Sequence, residues 1–171
     1  KDVIVPSEYD GYKVISIGSE AFLQKNVDRV IISEGIRSIS NYAFSNCTEV
    51  KEIILPDSLT TIGLGAFLAC SNLENITIPR SVTSIGDAAF QYCTKIKEVV
   101  IFKETANIGH TYHLFNNCPS AVIYCESGSF AETLARGLSY NYYILSDYYD
   151  ITYNANAGSD IVENMPSMQS K

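Results

Sequence analysis

Histidine is nearly missing from this chain. There are two, His110 and His113, and both fall in one short stretch. No acid–base constellation accompanies them, so hydrolytic or proton-transfer catalysis is not expected, and neither is a cofactor. Long apolar runs are missing too. None approaches the roughly 18 residues that a membrane helix needs, so membrane insertion is not expected. Positive charge is short: 12 Lys and Arg stand against 19 Asp and Glu, giving a net charge of −7. An acidic surface repels phosphate backbones, which argues against nucleic acid as a partner. The chain opens at Lys1 with neither Met nor a signal pattern. It reads as an excised or processed piece whose address is out of view.

What is present is repetition. "SVTSIGDAAFQYC" at 81–93 returns in altered form as "IRSISNYAFSNC", "LTTIGLGAFLAC", "ANIGHTYHLFNNC" and "VISIGSEAFLQK". The apolar triplets "VII" at 30–32, "IIL" at 53–55, "ITI" at 76–78, "VVI" at 99–101 and "VIY" at 122–124 each start 23 residues after the last. A fixed period of that size with one short strand per unit is the signature of a leucine-rich-repeat solenoid. One coil cannot enclose its own apolar side, whereas stacked coils bury a continuous core.

The positions then acquire roles. Leu73, Ile76, Ile78, Val82, Ile85 and Phe90 should point inward, with Thr77 facing out between two core residues. Phe22, Phe44, Phe67, Phe90 and Phe115 should stack in file. Pro56 and Pro79 end their strands. Gly18, Gly63, Gly86 and Gly109 suit a bend into a short helical turn, with Asn41 and Asp87 as its caps. Near the start, 3–18 fits a coil carrying an insertion between Pro6 and Val14. After Tyr124 the pattern stops. "SGSFAETLARGL" reads as an amphipathic helix with Phe130, Leu134 and Leu138 on one face and Ser127 or Ser129 as cap. "YNYYIL" at 140–145 reads as a closing strand.

"LENITIPRSVTSIGDAAFQYC" resembles the BspA-like leucine-rich repeat, and "VIYCESGSFAETLARGLSYNYYIL" is similar to that family's capping segment. The resemblance implies a right-handed, β-rich solenoid with short helical turns over 1–146, capped by 125–146. It also implies a non-enzymatic protein-binding module of a secreted or cell-surface bacterial protein. The implied partner is a host or neighbouring-cell protein; a spacer that projects another module is the alternative. Residues 150–164 resemble the first strand of a Listeria–Bacteroides-type repeat, which makes 147–171 a linker and the start of a truncated β module.

Several groups are candidates for chemistry. Cys47, Cys70, Cys93 and Cys118 share one repeat position; Cys125 falls outside it, at the place of Pro56 and Pro79, where it could be partly exposed. Stacked side chains point the same way and serial pairing would break the symmetry, so free buried thiols are expected over a disulfide or metal ladder. His110, His113 and Cys118 have zinc-type residues, but Cys118 belongs to the core column and no fourth ligand is evident, so no metal is expected. The outer sheet face offers more. Ile31, Ile54, Thr77, Val100 and Ile123 recur mid-strand, flanked by rows containing Arg29, Glu52, Asn75, Glu98, Ala121 and Asp28, Lys51, Glu74, Lys97, Ser120. A β-branched centre with a charged rim can bind protein; the plainer reading is strand formers whose alternating charges tie coils together. Six of the twelve tyrosines lie at 140–153, where packing of the cap is the expected role.

Overall fold

The computed structural model describes residues 1–102, 107–108 (backbone only) and 113–145. Strands stack in two parallel files. The first contains β1 (Asp2–Val5), β5 (Arg29–Ile32), β7 (Glu52–Ile54), β9 (Asn75–Ile78), β11 (Glu98–Ile101), β13 (Val122–Glu126) and β14 (Asn141–Leu145). Its hydrogen-bonded ladder runs β1-β5-β7 and resumes as β9-β11-β13-β14, with β7 lying beside β9 across the interruption. The second file is β4 (Ser16–Ile17), β6 (Ser38–Ile39), β8 (Thr61–Ile62), β10 (Ser84–Ile85) and β12 (Asn107–Ile108). The short strands of this second file pair two residues at a time, for example Ile39 with Ile62.

The third side differs from expectation. It is a double turn, not a helix. Tyr42, Gly65 and Ala88 are left-handed, at φ 56, 55 and 54°. Alternate N–H groups point along the solenoid axis: Phe22 donates to the Ala43 carbonyl at 2.7 Å, Phe44 to Ala66 at 2.8 Å and Phe67 to Ala89 at 2.9 Å. The others close local turns, as Leu68 does on Gly65. A helix would satisfy these donors within its own coil; here half of them bind the neighbour, so all three sides are hydrogen-bonded between coils. Asn41 therefore does not cap its own turn. Its side-chain oxygen accepts from Leu64 N–H one coil on, at 3.0 Å.

The glycine reading also changes. Gly63 and Gly86 are required by proximity, because a β-carbon at Gly63 would lie 2.7 Å from the Asn41 nitrogen and one at Gly86 would lie 2.4 Å from Leu64 nitrogen.

The phenylalanines stand in file. Ring centroids are separated by 4.8 Å (Phe22–Phe44), 5.5 Å (Phe44–Phe67), 5.2 Å (Phe67–Phe90) and 5.4 Å (Phe90–Phe115), with planes within 15° of parallel. Beside them run the thiols. Each donates to the phenylalanine carbonyl of the preceding coil: Cys47 to Phe22 at 3.0 Å, Cys70 to Phe44 at 3.2 Å, Cys93 to Phe67 at 3.3 Å and Cys118 to Phe90 at 3.2 Å. Tyr140 ends both columns. Its ring meets Phe115 edge-on at 6.4 Å, and its hydroxyl donates to the Phe115 carbonyl at 2.7 Å, where a further cysteine would have bonded.

The expected helix and closing strand both form, but the helix buries Ala131, Leu134 and Ala135, with Phe130 and Leu138 only partly buried. Helix α1 (Phe130–Gly137) begins at Ser129, whose hydroxyl accepts from Glu132 N–H while the Glu132 carboxylate accepts from Gly128 N–H. The arrangement is a variant of the capping box, with the carboxylate on the N–H preceding the cap instead of the cap's own. At the other end the insertion is a hairpin, β2 (Glu8–Tyr9) against β3 (Tyr12–Lys13), turned by Asp10 and Gly11, both with positive φ. "Asp-Gly" between two tyrosines is the sequence signal for such a turn.

One register correction matters for the surface. Ile123 pairs with Val99, Tyr124 with Val100 and Cys125 with Ile101. Ile123 is therefore a core residue, fully buried, and Tyr124 takes the outward position expected of it. The spacing explains the shift. Phe90 to Phe115 is 25 residues, where Phe67 to Phe90 is 23; Cys118 to Ile123 is five, where Cys93 to Val99 is six. Two residues are gained before the phenylalanine and one is lost before the strand, so the outward row moves from 123 to 124. Ala121 is likewise buried, its N–H on the Cys118 carbonyl as Ile96 N–H is on Cys93. Cys125 faces the core and is fully buried, not at the proline position and not exposed.

Candidate functional site

The open face of the first strand file carries a row of side chains in two in-register segments, one on each side of the interruption between β7 and β9. Ile4, Ile31 and Ile54 pair in register; Thr77, Val100, Tyr124 and Tyr143 continue it. Alternation along each strand sends Val99 and Ile101 inward and leaves Val100 outward. Exposure is uneven. Ile4 is 65% exposed at one end and Ile54 only 9% near the middle, with Ile31, Thr77 and Val100 between. At the far end Tyr124 and Tyr143 stack, centroids 5.5 Å apart. The structure thus brings together four of the five expected centre residues, removes Ile123, and adds Ile4 and two tyrosines.

The expected charge rows tie the coils. Arg29 Nε lies 2.6 Å from Glu52 Oε2, and Lys97 Nζ lies 3.3 Å from Glu74 Oε2. Lys51 sits between Asp28 and Glu74, its backbone bonded to both. Exposed pairs of this sort are each worth only about 0.2–1 kcal/mol. Glu98 differs: its in-register neighbours are Asn75 and Val122, both uncharged, and it has no ion-pair partner among the described residues. On the opposite margin Arg80 lies 2.6 Å from Glu126 and 4.2 Å from the centre of the Phe102 ring.

The cysteines and the described tyrosines of the cap serve the packing. All five cysteines are free and buried. Burial pushes every thiol upward; Cys118 and Cys125 rise from 9.0 to about 11, Cys70 goes higher still, and Cys93 is raised well above 9.0. Such thiols stay protonated and poorly nucleophilic. His113 is exposed, with Nδ1 3.3 Å from Asp87 Oδ2, while His110 lies outside the described residues. Among the described residues no group of His, Cys, Asp and Glu could hold a metal ion. Tyr140 packs the core end, and Tyr142 accepts from Arg136 Nε at 2.8 Å. Tyr148, Tyr149 and Tyr153, with the segment at 150–164, lie outside the described residues. No described helix is long and apolar enough to cross a membrane.

Comparison with known proteins places this architecture. The family model described as the BspA type leucine rich repeat region matches residues 13–134 in six copies. The leucine rich repeat protein of T. pallidum (TpLRR) is 32% identical with a TM-score of 0.68, over 72% of this chain and 57% of that one. A leucine rich cell surface protein of Faecalibacterium prausnitzii is 26% identical with a TM-score of 0.67, over 77% of this chain and 33% of that one. The pneumococcal vaccine antigen PcpA shares the fold at 17% identity and a TM-score of 0.64, over 85% of this chain and 41% of that one. This chain therefore spans less than two thirds of each of these relatives. None of the curated proteins matches it.

Proposed function

Because this chain belongs to the BspA-type leucine-rich repeat family, we propose that it is a non-enzymatic recognition module that binds a protein partner through the open face of its first strand file. The reading extends to setting: a secreted or cell-surface bacterial protein that meets a host or neighbouring-cell protein. The cell-surface relative in F. prausnitzii supports that setting. The observation that carries the binding reading is the row from Ile4 to Tyr143, in register from Ile4 to Ile54 and again from Thr77 to Tyr143, and apolar or aromatic at every position but Thr77. Its strands are held by backbone ladders, so a partner would dock without ordering the chain, and little backbone entropy would be lost. A charged margin around an apolar centre is the usual anatomy of a protein contact.

The test is capture. Immobilised protein is exposed to extracellular-matrix and mucus proteins, alongside an Ile31→Glu, Val100→Glu double variant. These two sites are preferred to Ile54, whose burial would turn a surface change into an unfolding one. The expected result is a retained protein that the double variant loses at an unchanged melting temperature. Equal retention by both would remove the face from the reading. Retention of nothing by either would favour a spacer that holds other modules away from the cell.

A further inference from the structure

Resting on that reading of the sheet face, we propose that its Glu98–Tyr124–Tyr143 end takes a lysine or arginine side chain of the partner, so that the partner presents a basic surface. Three observations converge. Glu98 is the carboxylate of its row whose in-register neighbours, Asn75 and Val122, are both neutral, whereas Glu52 and Glu74 are held by Arg29 and Lys97. Diagonally across from it stands Tyr124, stacked on Tyr143 and flanked on the other side by Val100. Burial, then the Glu98 charge, then Tyr143 push the Tyr124 phenol upward, so the carboxylate and the ring share one environment.

A long cationic side chain has two parts with different needs: an apolar stem and a charged head. Val100 and the Tyr124 ring offer a surface for the stem, and Glu98 offers the counter-charge for the head. Against a neutral partner the Glu98 carboxylate would be desolvated with nothing in return, and an acidic partner would be repelled. The chain's net charge of −7 adds long-range attraction for a basic partner and none for an acidic one.

The probe is a blocked peptide carrying arginine in a glycine–serine frame, compared with the same peptide carrying citrulline, which keeps the shape and loses the charge. Binding is read by NMR at the amides of Glu98, Val100 and Tyr124. The arginine peptide should shift these amides, and the citrulline peptide should bind more weakly by up to about fivefold, as expected for loss of one exposed charge contact. Glu98→Gln should reduce the arginine peptide to the citrulline level, while Glu20→Gln, on a turn away from the sheet, should leave it unchanged. Equal binding of both peptides to this face would overturn the cation inference and leave the binding face standing. Shifts lost equally in Glu98→Gln and Glu20→Gln would show attraction by net charge alone and would overturn it too. If neither peptide moves these amides, the inference falls, and the binding face is then decided by the capture of the double variant.

Discussion

Phe67→Ala tests the stacked interior most directly. Phe67 is fully buried, with its ring 5.5 Å from Phe44 and 5.2 Å from Phe90. Truncation removes the apolar transfer term and leaves a void that its neighbours cannot fill, since their backbones are pinned: Phe44 N–H donates to the Ala66 carbonyl at 2.8 Å and Phe90 N–H to the Leu114 carbonyl at 3.1 Å. Core Phe→Ala changes cost about 3–5 kcal/mol, and the pinned backbone places this one at the upper end. At about 2–4 °C per kcal/mol for a chain of this size, the melting temperature should fall by about 10 °C or more. Phe22 is the internal control. It stacks on one ring only and is partly exposed, so Phe22→Ala should cost about half as much. Phe44→Ala with Phe67→Ala should cost less than the two separately, by about 1 kcal/mol, because both remove the same ring contact. Urea unfolding followed by circular dichroism measures all four. Equal losses at Phe22 and Phe67, or strict additivity of the double variant, would refute a continuous aromatic column.

Three further outcomes follow from the same geometry. Gly63→Ala should destabilise by about 1–3 kcal/mol, because its β-carbon would press on the backbone of Asn41, whereas Gly18→Ala, with nothing within 4 Å, should be neutral in the same melt. Tyr140→Phe keeps the ring against Phe115 and loses the hydroxyl's bond to its carbonyl, so a fall of about 1 kcal/mol is expected; no change would mean that bond contributes nothing. Thiols report on pH. Unfolded thiols ionise near 9.0, and folded Cys118 and Cys125 at about 11, so their contribution is complete below pH 9.0 and is lost as pH rises through about 11. Tyr124 and Tyr140 are raised as well and act in the same direction. A melting temperature that stays level across this range would contradict buried thiols. Denatured but unreduced protein should also react with a thiol reagent at all five cysteines.

Much of this architecture is legible because a solenoid repeats one local problem. The 23-residue spacing places Phe44, Phe67 and Phe90 in file without knowledge of any distant contact, and "SGSFAE" carries a serine cap for α1 in adjacent letters. Free thiols follow from parallel stacking. Where local cues ran out, the errors were local too. The turns read as helical because their composition suits a helix; the left-handed residues at Tyr42 and Ala88 follow from hydrogen bonds to the next coil, which no single repeat displays. Asn41 read as a cap for the same reason.

The outer face shows the division most sharply. Its row through Ile31, Thr77 and Val100 could be read from period and alternation alone. Its end could not. Two residues gained and one lost between Phe90 and Ile123 shift the outward position by one, and a one-residue slip in a strand exchanges core for surface. Sequence alone therefore determined the stacking, the core and the kind of face, because each depends on spacing that every coil repeats. Only the tertiary structure decided that Tyr124, stacked on Tyr143, ends the row where Ile123 was expected, because strand register is fixed by hydrogen bonding to the neighbouring coil and not by counting along the chain.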